Sequence, residues 1–199
     1  MGAKTAVRLV LVVVGLWSSG AGLGAAIALN TGGTPEMIIV FQPGTEAWRN
    51  IDDVVMGGLS SSEMVIEDGV AVFRGDVSLD NYGGFASVRS DPADHDLSAF
   101  DGLVLRVRGD GKRYKVRLRT TGAFDGPSYQ ATIEPAPGEW QEIMIPFREF
   151  EPVFRGRVLP DHPPLDPGEV KTIGLLIADK QAGAFRLELE WIAGYREQP

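Results

Sequence analysis

The segment from Trp48 to Ser60 is the least generic part of the chain, because the adjacent carboxylates Asp52 and Asp53 precede a pair of glycines. Paired carboxylates can ligate Ca²⁺ or act as general acid and base, and glycine permits a turn with positive φ. Alternatively, both carboxylates accept hydrogen bonds from backbone amides in an irregular loop while Trp48 packs in the core. Calcium loops supply more oxygen ligands within a short span, so the second interpretation is favoured and no metal site is predicted.

A second unusual segment spans residues 79–89. Asn81 and the glycine pair that follows suit a tight turn leading into a strand, with Phe85 turned inward. An exposed Tyr82, with Asp80, Asn81 and Arg89 nearby, would also form a polar and aromatic surface of the kind that holds a sugar ring. Turn formation alone explains most of this pattern.

Residues suited to catalysis are few. The only histidines, His95 and His162, lie in loop sequence rich in Pro and Asp and have no metal-ligand spacing. There is no cysteine and no G-x-S-x-G, Walker or G-x-G-x-x-G motif. These features predict a protein that is not an enzyme and that uses no cofactor.

Basic residues alternate with apolar ones in two neighbouring runs, residues 102–108 and 113–120. Residues 109–112 between them are typical of a hairpin turn. If the runs pair, five basic side chains share one outer face: Arg106, Arg108, Lys115, Arg117 and Arg119. Such a face is a docking surface for an acidic partner or for phosphate, or a solvated face balanced by Glu188 and Glu190, and the solvated face is favoured.

The elements that would position these residues are short strands. Twenty-five glycines and 13 prolines separate short apolar runs, and no long amphipathic helix is evident after residue 30. Ten strand candidates follow: residues 37–41, 63–67, 70–75, 84–90, 102–108, 113–120, 128–134, 140–145, 172–178 and 185–192. This pattern predicts an all-β sandwich or barrel.

Three further expectations concern single elements of that fold. In the last strand, Phe185, Leu187, Leu189 and Trp191 are expected to face inward. Trp140 is expected in the core as well. Residues 151–169 contain five prolines and are predicted to form a long loop, which is either functional or an irregular cover over one end of the sandwich.

The N-terminus has the pattern of a targeting segment. Lys4 and Arg8 precede an apolar run, and the segment ends in Ala-Ile-Ala at residues 26–28. We predict a signal peptide at residues 1–28, with an uncleaved anchor as the alternative, then a linker at 29–36 and one β-sandwich domain at 37–196. The predicted location is periplasmic or outward-facing at a bacterial inner membrane, with membrane contact only through an uncleaved N-terminal segment. The net charge of −8 argues against nucleic acid as a partner.

Taken in order, several motifs resemble the complex I intermediate-associated protein 30 family. They are DDVVMGGLS at residues 52–60, NYGGFASVR at 81–89, GDGKRY at 109–114, IPF at 145–147, FRGR at 154–157 and IGLLIADKQ at 173–181. The resemblance implies a galactose-binding-like, jelly-roll β-sandwich. Mitochondrial members act as assembly factors for respiratory NADH:ubiquinone oxidoreductase, through protein contacts. This chain differs in its predicted secretory signal, where those members have a transit peptide.

The resemblance therefore implies a non-catalytic binding protein that holds a protein partner, such as a respiratory membrane complex, at the membrane surface. The alternative is a periplasmic carbohydrate-binding module of the cell envelope, with a glycan as ligand. The expected ligand or partner contacts are Trp48, Asp52, Asp53, Met56, Asn81, Tyr82, Phe85, Arg89, Arg117, Arg119, Arg155 and Arg157.

Overall fold

A computed structural model describes residues 35–41 and 48–197 of the chain. Thirteen strands make up most of this part: β1 Glu36–Val40, β2 Trp48–Asn50, β3 Ser61–Glu67, β4 Val70–Val77, β5 Ala86–Ser90, β6 Gly102–Arg108, β7 Tyr114–Arg119, β8 Ser128–Ile133, β9 Trp140–Pro146, β10 Glu151–Phe154, β11 Arg157–Val158, β12 Thr172–Ile177 and β13 Gly183–Tyr195. All ten predicted strands are present, each with bounds within three residues of the prediction. The prediction missed the short strands β2, β10 and β11.

The strands form two antiparallel sheets. The six-stranded sheet has the order β3-β4-β13-β6-β9, and β1 also pairs with the long strand β13. The seven-stranded sheet has the order β11-β10-β8-β7-β12-β5-β2. The predicted all-β sandwich is therefore confirmed.

Alternating apolar residues from both sheets fill the core. Leu103 and Leu105 of β6 and Val116 and Leu118 of β7 are completely buried, as their period of two predicts. Burial of each such side chain stabilises the fold by about 1.5–3 kcal/mol. Because one face of each sheet is committed to this core, the outer faces and the connecting loops are left to carry function.

The predicted hairpin between residues 102–108 and 113–120 is wrong. Strand β6 belongs to the six-stranded sheet and β7 to the seven-stranded sheet, so the two strands do not pair. The turn between them crosses from one sheet to the other, and Asp110 holds it by accepting hydrogen bonds from the Tyr114 hydroxyl at 2.9 Å and the Arg186 amide at 2.9 Å. Alternation fixes which side chains face inward, but it does not choose the sheet that a strand joins. The basic residues are consequently divided between two opposite outer faces.

Two of the tryptophan assignments are corrected as well. A register shift after Leu189 makes Ile192 the fully buried residue, while Trp191 packs beside a small separate cluster that contains Tyr195. A β-bulge of this kind adds one residue to a strand and reverses the faces beyond it. Trp140 lies half-buried on the outer face of the six-stranded sheet, with its ring centroid 4.9 Å from the guanidinium of Arg108.

Residues 151–169 are not a continuous loop. Strand β10 extends the seven-stranded sheet beside β8, and β11 pairs with β10. Within residues 35–41 and 48–197, no helix has the length and apolar character needed to cross a membrane. Residues 1–28 lie outside the described residues, so the signal peptide and the domain boundaries stay predictions.

Candidate functional site

A single buried carboxylate joins the two segments that the sequence marks as unusual. Asp53 is fully buried at the start of the short 3₁₀ helix Asp53–Met56. Its oxygens accept hydrogen bonds from the Ser60 amide at 2.9 Å, the Ser60 hydroxyl at 2.5 Å, the Gly84 amide at 2.7 Å and the Phe85 amide at 3.2 Å. We call Asp53 and its three partners, Ser60, Gly84 and Phe85, the aspartate clasp. It holds the loop at residues 53–60 against the loop at residues 78–85.

This carboxylate leaves no room for a Cβ atom on two glycines, and at Gly83 the backbone oxygens of Ser78 and Asp80, both at 2.9 Å, exclude one as well. A Cβ atom on Gly58 would lie 2.2 Å from Oδ1 of Asp53, and a Cβ atom on Gly83 would lie 2.7 Å from Oδ2. Both distances are shorter than any real contact of a Cβ atom. Of the first glycine pair, only Gly57 has a positive φ, at 90°, so the two glycines serve different purposes.

Asp52 accepts a second set of hydrogen bonds on the other side of the same turn. It is nearly buried and accepts hydrogen bonds from the Ser62 hydroxyl at 2.5 Å, the Ser62 amide at 2.9 Å and the Ser87 amide at 3.0 Å. These bonds connect β3 to β5. Both aspartates therefore act as hydrogen-bond acceptors in an irregular loop, the interpretation that the sequence favours over a catalytic pair.

Burial pushes the pKa of Asp53 upward, but the hydrogen bonds from Ser60, Gly84 and Phe85 outweigh this effect and hold the pKa below its ordinary value of 3.8. The group is therefore ionised at neutral pH. It is an acceptor with no proton to donate, which is unsuited to general-acid chemistry.

Chelation is expected to leave the melting temperature unchanged. The oxygens of Asp52 and Asp53 already accept N–H and O–H donors, which leaves too few free ligands for Ca²⁺. In the part of the chain that the structure describes, no group of three acidic or histidine residues is arranged to hold a metal ion. Thermal unfolding with EDTA and with added CaCl₂ checks this prediction. A melting temperature lowered by EDTA and restored by CaCl₂ would contradict it.

Six large apolar side chains are exposed on the two clasped loops. The loop at residues 53–60 exposes 61–65% of Val54, Val55, Met56 and Leu59, and the loop at residues 78–85 exposes 45% of Leu79 and all of Tyr82. We call these six residues the apolar loop surface. Exposed apolar residues on two loops that are bonded to each other are candidates for an interaction site.

The backbone at the tip of the second loop is strained. Asn81 and Tyr82 both adopt left-handed conformations, with φ of 53° and 61°. For a residue such as Tyr82 this conformation costs about 1–2 kcal/mol. Strain of this kind is concentrated at functional sites, and here it accompanies a fully exposed tyrosine.

The predicted contact residues fall into separate groups in the structure. Met56, Asn81 and Tyr82 lie on the clasped loops, which Asp52, Asp53 and Phe85 help to hold. Arg89, Arg117 and Arg119 lie together on the outer face of the seven-stranded sheet. Arg155 and Arg157 lie at the turn between β10 and β11, where Arg155 pairs with Asp125 at 2.8 Å. Trp48 packs against the core, with its ring centroid 6.1 Å from that of Phe41.

The sequence predicts contacts in the loop at residues 52–60 as a whole, but four residues of the apolar loop surface are not among those singled out from it: Val54, Val55, Leu59 and Leu79. A signal for them exists, because Val54 and Val55 are consecutive apolar residues next to a glycine pair. A strand with one buried face alternates, and consecutive apolar residues beside a glycine pair break that alternation, which favours exposure of at least one of them.

Comparisons with known proteins agree with this architecture. Residues 40–189 match the family model described as complex I intermediate-associated protein 30. A probable mitochondrial complex I intermediate-associated protein 30 from Caenorhabditis elegans is 29% identical over 164 residues, covering 70% of this chain and 47% of the relative. The mouse protein of that name is 35% identical over 107 residues, covering 52% and 33%. The chain thus spans half or less of the length of these two curated relatives.

Among solved structures, the fold resembles a family 11 carbohydrate-binding module from Clostridium thermocellum, determined in complex with a mixed-linked tetrasaccharide. The TM-score is 0.60 at 20% identity, and the match covers 82% of this chain and 97% of the module. The galactose-binding-like, jelly-roll architecture implied by the sequence motifs is thereby confirmed.

Proposed function

Because this chain belongs to the complex I intermediate-associated protein 30 family, we propose that it is a non-catalytic accessory protein that holds an assembly intermediate of a respiratory membrane complex. The observation that carries this proposal is the apolar loop surface, which presents six large apolar side chains to solvent. Relatives from the nematode and the mouse are named for association with a complex I intermediate.

The chemistry of the apolar loop surface suits a protein partner. Interface cores are enriched in aromatic residues and methionine and depleted of charge, and Tyr82 and Met56 are of these types. The exposed part of the two loops carries one charged side chain, that of Asp80. The partner surface that fits is therefore apolar, with at most a basic group opposite Asp80.

The aspartate clasp supports this role by fixing the loops before binding. Four hydrogen bonds to one buried carboxylate tie together residues that are up to 32 positions apart in the sequence. Ordering an interface side chain on association costs about 0.5–1.5 kcal/mol, and preformed loops reduce that cost. The strained turn at Asn81 and Tyr82 fits the same purpose, since it projects the aromatic ring into solvent.

The location that we propose is the outer side of a bacterial inner membrane. It rests on the pattern of residues 1–28, in which positive charge precedes an apolar run and a small-residue cleavage site. The partner would then be a part of the complex that is accessible from that side, and the domain would lie near the membrane surface.

The test is crosslinking in cells with a C-terminally tagged full-length chain, followed by mass spectrometry of the captured proteins. We expect recovery of respiratory-complex subunits with the natural sequence. A Val55→Asp, Met56→Asp double variant should recover at least about tenfold less, because a charge buried in an apolar interface is strongly unfavourable. The matched control is Val158→Asp, which adds a charge at another exposed apolar position, on β11.

Three outcomes would contradict the proposal. Capture without any respiratory-complex subunit would remove the assembly role. Equal capture by the double variant would remove the apolar loop surface as the contact. Failure to capture any protein, together with a saturable change of tryptophan fluorescence on titration with envelope glycans, would replace it with the carbohydrate-binding function.

A further inference from the structure

The outer face of the seven-stranded sheet carries three arginines that line one pocket. Arg89 lies on β5, and Arg117 and Arg119 lie on β7. Gly174 of β12 lies between these strands and is the register partner of both Arg89 and Arg117. Because Gly174 has no side chain, nothing separates the two arginines in that row of the sheet. We call this group the arginine pocket, and Thr172 also lines it.

None of the three arginines forms a salt bridge within the described residues 35–41 and 48–197. Arg89 donates to the Phe124 carbonyl at 3.0 Å, Arg119 donates to the Gly126 carbonyl at 3.0 Å, and Arg117 donates to the Gln130 side-chain oxygen at 3.3 Å. These acceptors are all neutral.

The buried Nε of Arg117 has no hydrogen-bond partner in the part of the chain that the structure describes. The negative charge of Asp125 acts on Arg119, but the carboxylate of Asp125 forms its salt bridge with Arg155, at 2.8 Å. Arg117 therefore retains a buried donor, and no carboxylate of the described residues forms a salt bridge with it.

The arginines of the opposite sheet behave differently. Arg106 pairs with Glu190 at 2.7 Å, and Arg108 pairs with Glu188. The sequence led us to expect Glu188 and Glu190 to balance all five basic residues, but the crossover after β6 puts Arg117 and Arg119 out of their reach. Three cations without a salt-bridge partner among the described residues thus gather on a chain whose net charge is −8.

Burial and the crowding of positive charge lower the pKa of Arg117 and of Arg89. Burial, with the positive charges of Arg119 and Arg89, lowers the pKa of Arg117 to about 10. Burial, with the charges of Arg119 and Arg49, lowers the pKa of Arg89 to about 10. Like charges held together in a partly desolvated site destabilise the folded chain until an anion neutralises them.

We propose that the arginine pocket is a binding site for a phosphate group. A guanidinium presents a planar fork of donors that matches phosphate oxygens, and three guanidinium groups beside one pocket offer more donors than a planar carboxylate needs. Phe124, which is 68% exposed with its ring centroid 5.8 Å from the guanidinium of Arg89, offers an apolar surface beside the pocket for the organic part of a phosphate ester.

The experiment is thermal unfolding of the purified full-length chain in sodium phosphate, with ionic strength held constant by sodium chloride. It requires no protein partner, so its result is independent of the proposed assembly role. We expect a saturable rise of the melting temperature, about 5 °C when phosphate reaches about 100 times its dissociation constant. A parallel titration with phenyl phosphate distinguishes the sources: tighter binding than inorganic phosphate indicates an ester ligand, and equal binding indicates free phosphate.

Two variants test the residues. Arg117→Gln and Arg119→Gln should each weaken phosphate binding by at least about tenfold, since each removes a charged donor. Without phosphate, Arg117→Gln should melt at the same temperature as the natural chain or higher, because it removes an unneutralised buried charge. The matched control is Arg106→Gln on the opposite sheet, which should keep the full response to phosphate.

The proposal is overturned if phosphate produces no shift, or if Arg117→Gln responds as the natural chain does. It is also overturned if sodium acetate at equal ionic strength raises the melting temperature as much as phosphate, because the pocket would then lack selectivity for a phosphate group. A large loss of stability in Arg117→Gln without phosphate would assign the arginines a structural role instead.

Discussion

Replacing Asp53 by asparagine is expected to lower the melting temperature by about 10 °C. The N–H₂ group of asparagine would take the place of one carboxylate oxygen and face a backbone N–H donor. The carboxylate accepts four hydrogen bonds in a fully buried position. Asparagine keeps one acceptor oxygen, so at least one amide among those of Ser60, Gly84 and Phe85 loses its partner. The expected loss of unfolding free energy is about 3–4 kcal/mol, measured by chemical denaturation.

The pH dependence of that loss gives a second signature. The pKa of Asp53 is lowered in the folded chain, so its stabilising contribution is fully present above the ordinary value of 3.8 and is lost as the pH falls through the lower folded value. The difference in stability between the natural chain and Asp53→Asn should therefore shrink below about pH 4.

Asp80→Asn is the matched control, since it makes the same chemical change at an exposed carboxylate on the neighbouring loop. We expect it to alter the unfolding free energy by less than about 0.5 kcal/mol. Equal melting temperatures for Asp53→Asn and Asp80→Asn would show that the clasp does not hold the loops together.

Introducing a single methyl group at Gly58 is expected to have an effect of similar size. The added Cβ atom would lie 2.2 Å from Oδ1 and 2.4 Å from Cγ of Asp53, both far inside van der Waals contact. The backbone fixes the direction of the Cβ atom, and Gly58 is buried, so either the carboxylate or the loop must move. We expect Gly58→Ala to cost about 2–3 kcal/mol, as overpacking of a buried site does.

A double-mutant cycle tests whether the methyl group acts through the carboxylate. If it does, Gly58→Ala and Asp53→Ala together should cost less than the sum of the single changes, by at least about 1 kcal/mol, because alanine at position 53 removes the carboxylate that the methyl group would meet. Gly122→Ala is the control, since its Cβ atom would meet Pro92 at an ordinary distance of 3.6 Å. Strictly additive losses would mean that Gly58 is required for a reason unrelated to Asp53.

These two variants also separate stability from partner capture. The clasp lies beneath the apolar loop surface, so its loss should loosen the loops as well as lower the melting temperature. Val55→Asp and Met56→Asp change only exposed side chains and should leave the melting temperature nearly unchanged. A variant that captures no partner yet melts normally is therefore assigned to the contact surface.

The sequence by itself determined the features that depend on neighbouring residues. Alternation in residues 102–108 and 113–120 predicted which side chains are buried, and Leu103, Leu105, Val116 and Leu118 are all fully buried. Glycine pairs and short apolar runs predicted turns between strands, and ordered motifs predicted the family and its fold. Each of these signals is local, because side-chain direction in a strand follows the backbone of that strand alone.

Only the tertiary structure decided which strands pair and which loops meet. The crossover after β6 separates Arg117 and Arg119 from Glu188 and Glu190. The bulge in β13 turns Trp191 away from the core, where the alternation had placed it. The clasp joins Asp53 to Gly84 across 31 positions, and no periodic pattern in the sequence indicates this contact. Strand pairing is set by hydrogen bonds and packing between segments that are distant in the sequence. An alternating strand fits equally well into either sheet of a sandwich. The ion pairs and the geometry of the site are therefore decided only when the whole core assembles.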